Sequence, residues 1–260
     1  MIPGGFQKRK KVNLKKIFKR LFKHIYHGEW SALFFYLCSE ISNILFKREL
    51  FITKPFECPL CLHSSYGFIN LSNHHGVSWN SACPECNSRS RHRGLFFLYR
   101  EYLHNTNSKR ILHFSPEPIL ERYLRQLKQH EYYTTDYHIK DVDYPGQDIQ
   151  NLTFEDSIFD LIIINHVLEH IEDDKKALVE MARVLKKGGV AIITIPGDWK
   201  RKFTKNFNHL YFNGHYRDYG LEVYKLMESI FPKVTGHNLF IYDGGKHSIK
   251  SQEIAFICKK

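Results

Sequence analysis

A chain of 260 residues that is 43% hydrophobic and 25% charged, with 20 Phe and 15 Tyr, can bury one sizeable core, and its composition excludes disorder over most of its length. The net charge of +11 is unevenly placed: residues 1–54 hold 12 Lys or Arg against three Glu, so nine of those charges fall in the first fifth of the chain. The rest is close to neutral, which disfavours a nucleic-acid partner for it.

Residues 8–26, KRKKVNLKKIFKRLFKHIY, place Leu14, Ile17, Phe18, Leu21, Phe22 and Ile25 on one helical stripe, with nine Lys or Arg on the other faces. Such a helix suits an anionic membrane surface. The same stripe could instead pack on the protein's own core with its lysines solvated. Residues 30–46 are too short, and too interrupted by Ser39, Glu40, Ser42 and Asn43, to span a bilayer, so a second amphipathic helix is expected. The basic start does not lead into a clean apolar core, which argues against a secretory signal, although a mitochondrial presequence shares the basic amphipathic character.

Four of six cysteines form two tight pairs, Cys58/Cys61 and Cys83/Cys86, with the spacing C-x2-C-x21-C-x2-C. A chain without an export signal reads such pairs as thiolates on a metal rather than disulfides, in a reducing, cytoplasmic compartment. Four thiolates are the tetrahedral set that Zn²⁺ takes in closed structural sites, with no open position for water or substrate. The following run, Arg89, Arg91, His92 and Arg93, either grips nucleic acid, covers a helix start or faces an anionic group.

From residue 109 strands alternate with helices. Strands are expected at 110–114, 132–136, 147–149, 160–165 and 189–195, and helices at 116–129, 173–186 and 219–230. The segments KVTGHNLFIYD and QEIAFICKK read as an antiparallel hairpin joined by the Gly-rich GGKHS.

The order ILHFSPEP, then YYTTDYH, then FDLIIINHVLEHI with RVLKKGG and IP behind it resembles the class I S-adenosylmethionine-dependent methyltransferases over about residues 109–260. The CPLC and CPEC pairs with NSRSRHR, LHFSPEP and GHYRDYG are also similar to a bacterial subgroup of these enzymes with an N-terminal zinc-binding segment. The resemblance implies an α/β fold: a Rossmann-like seven-stranded sheet with an antiparallel last strand, preceded by a helical arm (1–54) and a zinc-ribbon-like module (55–93), with the methyltransferase domain over 94–260. It implies S-adenosylmethionine as cofactor beside the structural zinc. Asp136, at the tip of the second strand, stands where a ribose-binding carboxylate is expected, and Asp148-Ile149 where the adenine-binding pair is expected. Asn165 and His166 end the fourth strand at the ligand-binding edge.

The first turn departs from the family. His113 takes the place of an acid, Ser115 and Glu117 take glycine places, and no glycine is present. Ser115 would cap the following helix with Pro116 at its first position, and Glu117 would replace the missing acid opposite the cofactor's ammonium. His215, His166 and His170 are the candidate bases, in that order for the first two. Arg217 would bind an anionic substrate group, or simply pair with Asp218 or Glu222. These readings give methyl transfer to an oxygen or nitrogen of a small, glycan or lipid-linked polar acceptor, by a cytoplasmic enzyme peripheral on the inner membrane face. The competing readings are a nucleic-acid-binding or modifying protein and a non-catalytic scaffold.

Overall fold

The computed structural model describes residues 14–27, 29–47, 56–73, 76–207, 214–250 and 252–260. Residues 8–13 of the basic arm therefore lie outside the described residues. The chain forms two compact units, one reaching to Phe97 and including Phe240–Lys250, the other comprising Leu98–Leu239 and the C-terminal segment to Lys260.

In the first unit, helix α1 (Leu14–Tyr26) is followed by α2 (Trp30–Lys47). α2 buries Ala32, Tyr36, Ser39 and Asn43, a face that carries two polar side chains. Asn43 satisfies the backbone of Asn70 at both ends, donating to its carbonyl at 3.1 Å and accepting from its amide at 2.7 Å. The opposite face of α2 exposes Trp30, Phe34, Leu37, Ile41 and Ile44. Strands β1 (Phe56–Glu57) and β2 (Ser64–Ser65) pair antiparallel, as do β3 (Ile69–Asn73) and β4 (Gly76–Ala82). Helix α3 (Ser90–Leu103) carries the chain onward.

Arg93, fully buried, donates to the carbonyls of Ser88, His247 and Ser248 and lies over the Phe68 ring at 4.5 Å. These bonds explain why 240–250 belongs to the first unit. The expected hairpin is present, but its connection is a long excursion anchored on Arg93 rather than a tight Gly-rich turn. The first compact unit holds the described arm residues, the ribbon, 94–97 and 240–250. Asn43 and Arg93 make the bonds that tie those pieces together.

The second unit is built on a seven-stranded sheet. Its strands are β5 (Arg110–Phe114), β6 (Glu131–Asp136), β7 (Tyr144–Pro145), β8 (Phe159–Asn165), β9 (Leu185–Thr194), β12 (Lys233–Asn238) and β13 (Ile254–Lys259). The spatial order is β12-β13-β9-β8-β5-β6-β7, parallel except for β13, which runs antiparallel to both its neighbours. A two-residue ribbon, β10 (Lys205–Asn206) with β11 (Arg217–Asp218), stands apart from it. The third strand forms at 144–145 instead of 147–149, because Asp148 turns back through an isolated bridge to Asn151.

The run Ile162-Ile163-Ile164 in β8 is fully buried, as a parallel strand covered on both faces should be. Ile162 and Ile164 join the core that α5 (Asp174–Val184) completes with Ala177, Leu178, Met181 and Val184. Each such side chain contributes roughly 1.5–3 kcal/mol relative to exposure. Asp173 caps α5 by accepting from the Lys176 amide at 2.9 Å. Helices α4 (Pro118–Leu124) and α6 (Val223–Glu228) are short. From β5 the chain goes to β6 on one side, while β8 lies on the other. That reversal opens a crevice at the carboxyl ends of the strands, where open α/β sheets bind ligands.

Candidate active site

A cavity of about 670 Å³ occupies this crevice, lined by Ser115, Asp136, Tyr137, His138, Asp148, Ile149, His166 and His170 among others. Its size lies within the roughly 300–1,000 Å³ usual for small-molecule sites.

Asp136 ends β6 and is 7% exposed. Its Oδ1 accepts from the amides of His138 (2.7 Å) and Ile139 (2.8 Å), and its Oδ2 accepts from the Ser115 hydroxyl at 2.7 Å. Burial raises its pKa, but the bonds from Ile139, Ser115 and His138 outweigh that and hold the carboxyl below its ordinary range. Asp136 is thus an anchored carboxylate whose Oδ2 keeps a lone pair for a hydroxyl. Asp148 Oδ1 accepts from the Gln150 amide at 2.9 Å, an Asx-type turn that sets Ile149 as a buried wall.

Ser115 does not cap α4. Glu117 holds the cap position and Pro118 opens the helix, two residues later than the sequence suggests. Ser115 instead adopts φ +45°, the left-handed conformation that normally calls for glycine, and spends its hydroxyl on Asp136.

Three other expected site residues face elsewhere. His113 is fully buried beneath the crevice; its Nδ1 is 2.8 Å from the Tyr132 hydroxyl and its Nε2 is 3.4 Å from Asn165 Nδ2. Burial pushes its pKa down to about 4, so it is a neutral core histidine. Asn165 is held in the same buried network by Tyr99 and Thr194. Neither lines the cavity. Arg217 does not line the cavity either: it is 8% exposed, donates to the carbonyls of Ile171 and Glu172, and pairs with Asp174 at 2.9 Å. Asp218 pairs with Arg201, and Glu222 accepts from the Thr204 amide.

The three candidate bases do converge. His166, at φ +52°, and His170 line the cavity, and the His170 and His215 rings meet edge to face at 4.7 Å. Burial lowers the pKa of His215, with Glu169 opposing. Between them lies Glu169, which sequence reasoning passed over. It is 1% exposed, and its Oε1 is 3.3 Å from His166 Nδ1. Its signal was present in NHVLEH, where Glu169 shares a 3-residue spacing with His166. Tyr137, His138, Gln150 and Tyr216 also line the cavity without having been singled out.

The four paired cysteines gather in the first unit. Two matching knuckles form them: the Leu62 amide donates to Cys58 O at 2.8 Å and the Asn87 amide to Cys83 O at 2.9 Å, with Leu62 and Asn87 both at positive φ. Cys58 and Cys86 sulfurs stand 3.5 Å apart, and those of Cys61 and Cys83 3.6 Å. A Zn–S bond of about 2.3 Å at the tetrahedral angle places sulfurs about 3.8 Å apart, so the donor set fits that ion. The basic run beside it is structural in part, because Arg93 is buried and His92 Nδ1 accepts from the Arg89 amide at the start of α3.

Residues 98–193 match a family model described as a methyltransferase domain. Over 46 residues the chain is 50% identical to an uncharacterized protein of Methanocaldococcus jannaschii, covering 18% of this chain and 22% of that one. Over 53 residues it is 40% identical to the demethylmenaquinone methyltransferase of Renibacterium salmoninarum, covering 20% and 22%. The matches thus span about a fifth of these relatives' length. Among solved structures, the chain is similar to the Burkholderia thailandensis 1,6-didemethyltoxoflavin-N1-methyltransferase with bound S-adenosylhomocysteine, at 13% identity and TM-score 0.48 over 65% of this chain and 78% of that one. It is also similar to an Archaeoglobus fulgidus SAM dependent methyltransferase, at 16% identity and TM-score 0.44 over 64% and 91%.

Proposed function

We propose that this chain, which belongs through residues 98–193 to the class I methyltransferases, transfers the methyl group of S-adenosylmethionine to an oxygen or nitrogen of a small or glycan- or lipid-linked polar acceptor. The observation that supports the reading best is the Ser115–Asp136 hydrogen bond in the crevice, which holds an ionised carboxylate able to accept from a ribose diol. The fit extends to Asp148 and Ile149, which offer a carboxylate and an apolar wall to the adenine. When bound, the cofactor supplies an electrophilic methyl. The chain's own part is to align the acceptor and exclude water from it. His166 stands on the same wall to move a proton.

Titration of the purified protein with S-adenosylmethionine tests this. Micromolar binding that Asp136→Ala abolishes supports the reading. No heat and no thermal shift would leave the non-catalytic scaffold in its place. The buried Arg93 and the near-neutral second unit speak against a nucleic-acid substrate.

The Cys58, Cys61, Cys83 and Cys86 cluster would hold structural Zn²⁺, fixing the two knuckles. The arm would bind an anionic membrane surface peripherally, on the cytoplasmic side. Among the described residues no helix is long and apolar enough to cross a membrane. Yet Phe18, Phe22 and Ile25 of α1, at 58%, 71% and 49% exposure, stand out from a helix rich in Lys and Arg, and α2 adds its own exposed stripe. Apolar insertion and roughly 1 kcal/mol per cation near anionic lipid would act together. Co-sedimentation with phosphatidylserine vesicles, lost in a Phe18→Ser/Phe22→Ser variant, is the expected result; self-association of the wild type without vesicle binding would refute it.

A further inference from the structure

Beside the crevice, one atom each from Glu169, His170 and His215 lies within 4.8 Å of the others. Two imidazoles and one carboxylate form a ligand set that divalent transition metals take with coordination positions left open. We propose that these three residues bind a divalent cation, and that this cation holds the acceptor by a hydroxyl oxygen.

Two further observations point to a ligand rather than to a chance gathering. The first is Glu169 Oε2, a carboxylate oxygen that is buried without a hydrogen-bond partner among the described residues, on a residue that is 1% exposed. A buried carboxylate oxygen left so is costly, and a cation between the imidazoles would satisfy it. The second is the orientation of His170. Its Nδ1 is bonded to the Gly214 carbonyl at 3.0 Å, which puts the proton on Nδ1 and leaves Nε2 as a lone-pair donor. Metal-bound histidines are oriented in this way by a carbonyl or carboxylate on the other nitrogen. The second oxygen of the carboxylate has an analogous support, His166 Nδ1 at 3.3 Å from Oε1.

The distances leave a modest closing movement. An ion about 2.1 Å from each ligand sets tetrahedral ligand atoms about 3.4 Å apart, so side-chain rotation of the order of 1 Å assembles the set. His170 lines the cavity, and Gly214 and Tyr216 on either side of His215 line it too. Glu169 and His215 stand behind this wall, so a cation here would reach the cavity beside His170. Its natural guests are oxygen donors, and a coordinated hydroxyl is more acidic than a free one. This narrows the acceptor in the proposed methyl transfer, on which the acceptor role rests, to a hydroxylated compound.

Mn²⁺ is the discriminating probe, because four soft thiolates do not favour it whereas histidine and carboxylate do. Protein carrying its thiolate-bound zinc is dialysed against Mn²⁺ and bound metal is counted. The expected result is one Mn²⁺ per chain, with affinity falling at least tenfold in Glu169→Gln and in His215→Ala while zinc content and melting temperature hold. A variant set that binds Mn²⁺ as the wild type does, or a wild type that binds none, overturns the site. S-adenosylmethionine is titrated in parallel. Cofactor binding without Mn²⁺ binding sinks the metal site and leaves methyl transfer standing, whereas Mn²⁺ binding by a chain that ignores the cofactor supports the site and removes its acceptor role.

Discussion

Acidification should unfold the second unit in a manner traceable to one residue. His113 is fully buried in β5, and burial lowers its pKa from 6.5 to about 4. The unfolded chain therefore takes up a proton at pH values where the folded chain refuses it. Stability is fully present above pH 6.5 and is lost as pH falls through the window down to about 4. Those two pKa values give a loss of roughly 1 kcal/mol at pH 5.5 and roughly 2–3 kcal/mol at pH 4.5. Trp199 packs against Phe256 within this unit, so urea unfolding followed by its fluorescence reads the right region once Trp30 and Trp79 are replaced by Phe. In the same background His113→Gln keeps a polar group opposite Tyr132 but has no proton to gain. It should be less stable at pH 7 yet lose roughly 2–3 kcal/mol less than the parent on going to pH 4.5. Equal slopes in the two proteins would show that His113 is not the buried neutral group described, and the reasoning would fail.

Ser115→Ala removes the hydroxyl bond to Asp136 while keeping the fold; the affinity for S-adenosylmethionine should fall about tenfold by calorimetry, in line with one hydrogen bond to a charged group. Arg217→Met should leave Asp174 and two carbonyls without their buried cation, costing about 3 kcal/mol. Melting followed through Trp199 would report it as a drop of several degrees. After dialysis against EDTA, titration of the thiols with a mercurial should release one zinc ion per chain, and Cys61→Ser/Cys86→Ser should release none.

Strands and core helices were legible because their signals are local. The Ile162–Ile164 run, the periodic residues of α5 and the apolar run of β13 each state their own burial pattern. Cysteine spacing likewise announced a four-sulfur cluster. What sequence spacing could not tell was which face a strand-end residue presents. His113 and Asn165 sit at the right height for a ligand but point into a closed network with Tyr99, Tyr132 and Thr194. Just past the two strand ends, Ser115 and His166 line the crevice, because the chain turns there through positive φ, +45° and +52°. Arg217's surroundings were illegible for a different reason. An arginine in a loop beside a pocket reads as an anion binder, whereas its partners, Asp174 and the carbonyls of Ile171 and Glu172, lie more than forty residues away in the chain.

The absence of glycine in the first turn is reconciled by Ser115 itself. The chain there still follows the left-handed path that glycine would permit, at φ +45°, and for an L-residue that path costs roughly 1–2 kcal/mol. The hydroxyl bond to the Asp136 carboxylate, of the kind that contributes about 1.5–3 kcal/mol, offsets the strain. Glycine would relieve the strain but would also lose the bond and add entropy to the unfolded chain. The serine thus couples the tips of two neighbouring strands that glycine would leave independent. The consequence is chemical as well as structural: the carboxylate at the second tip is fixed in place and in charge before any ligand arrives, so less ordering remains to be done on binding.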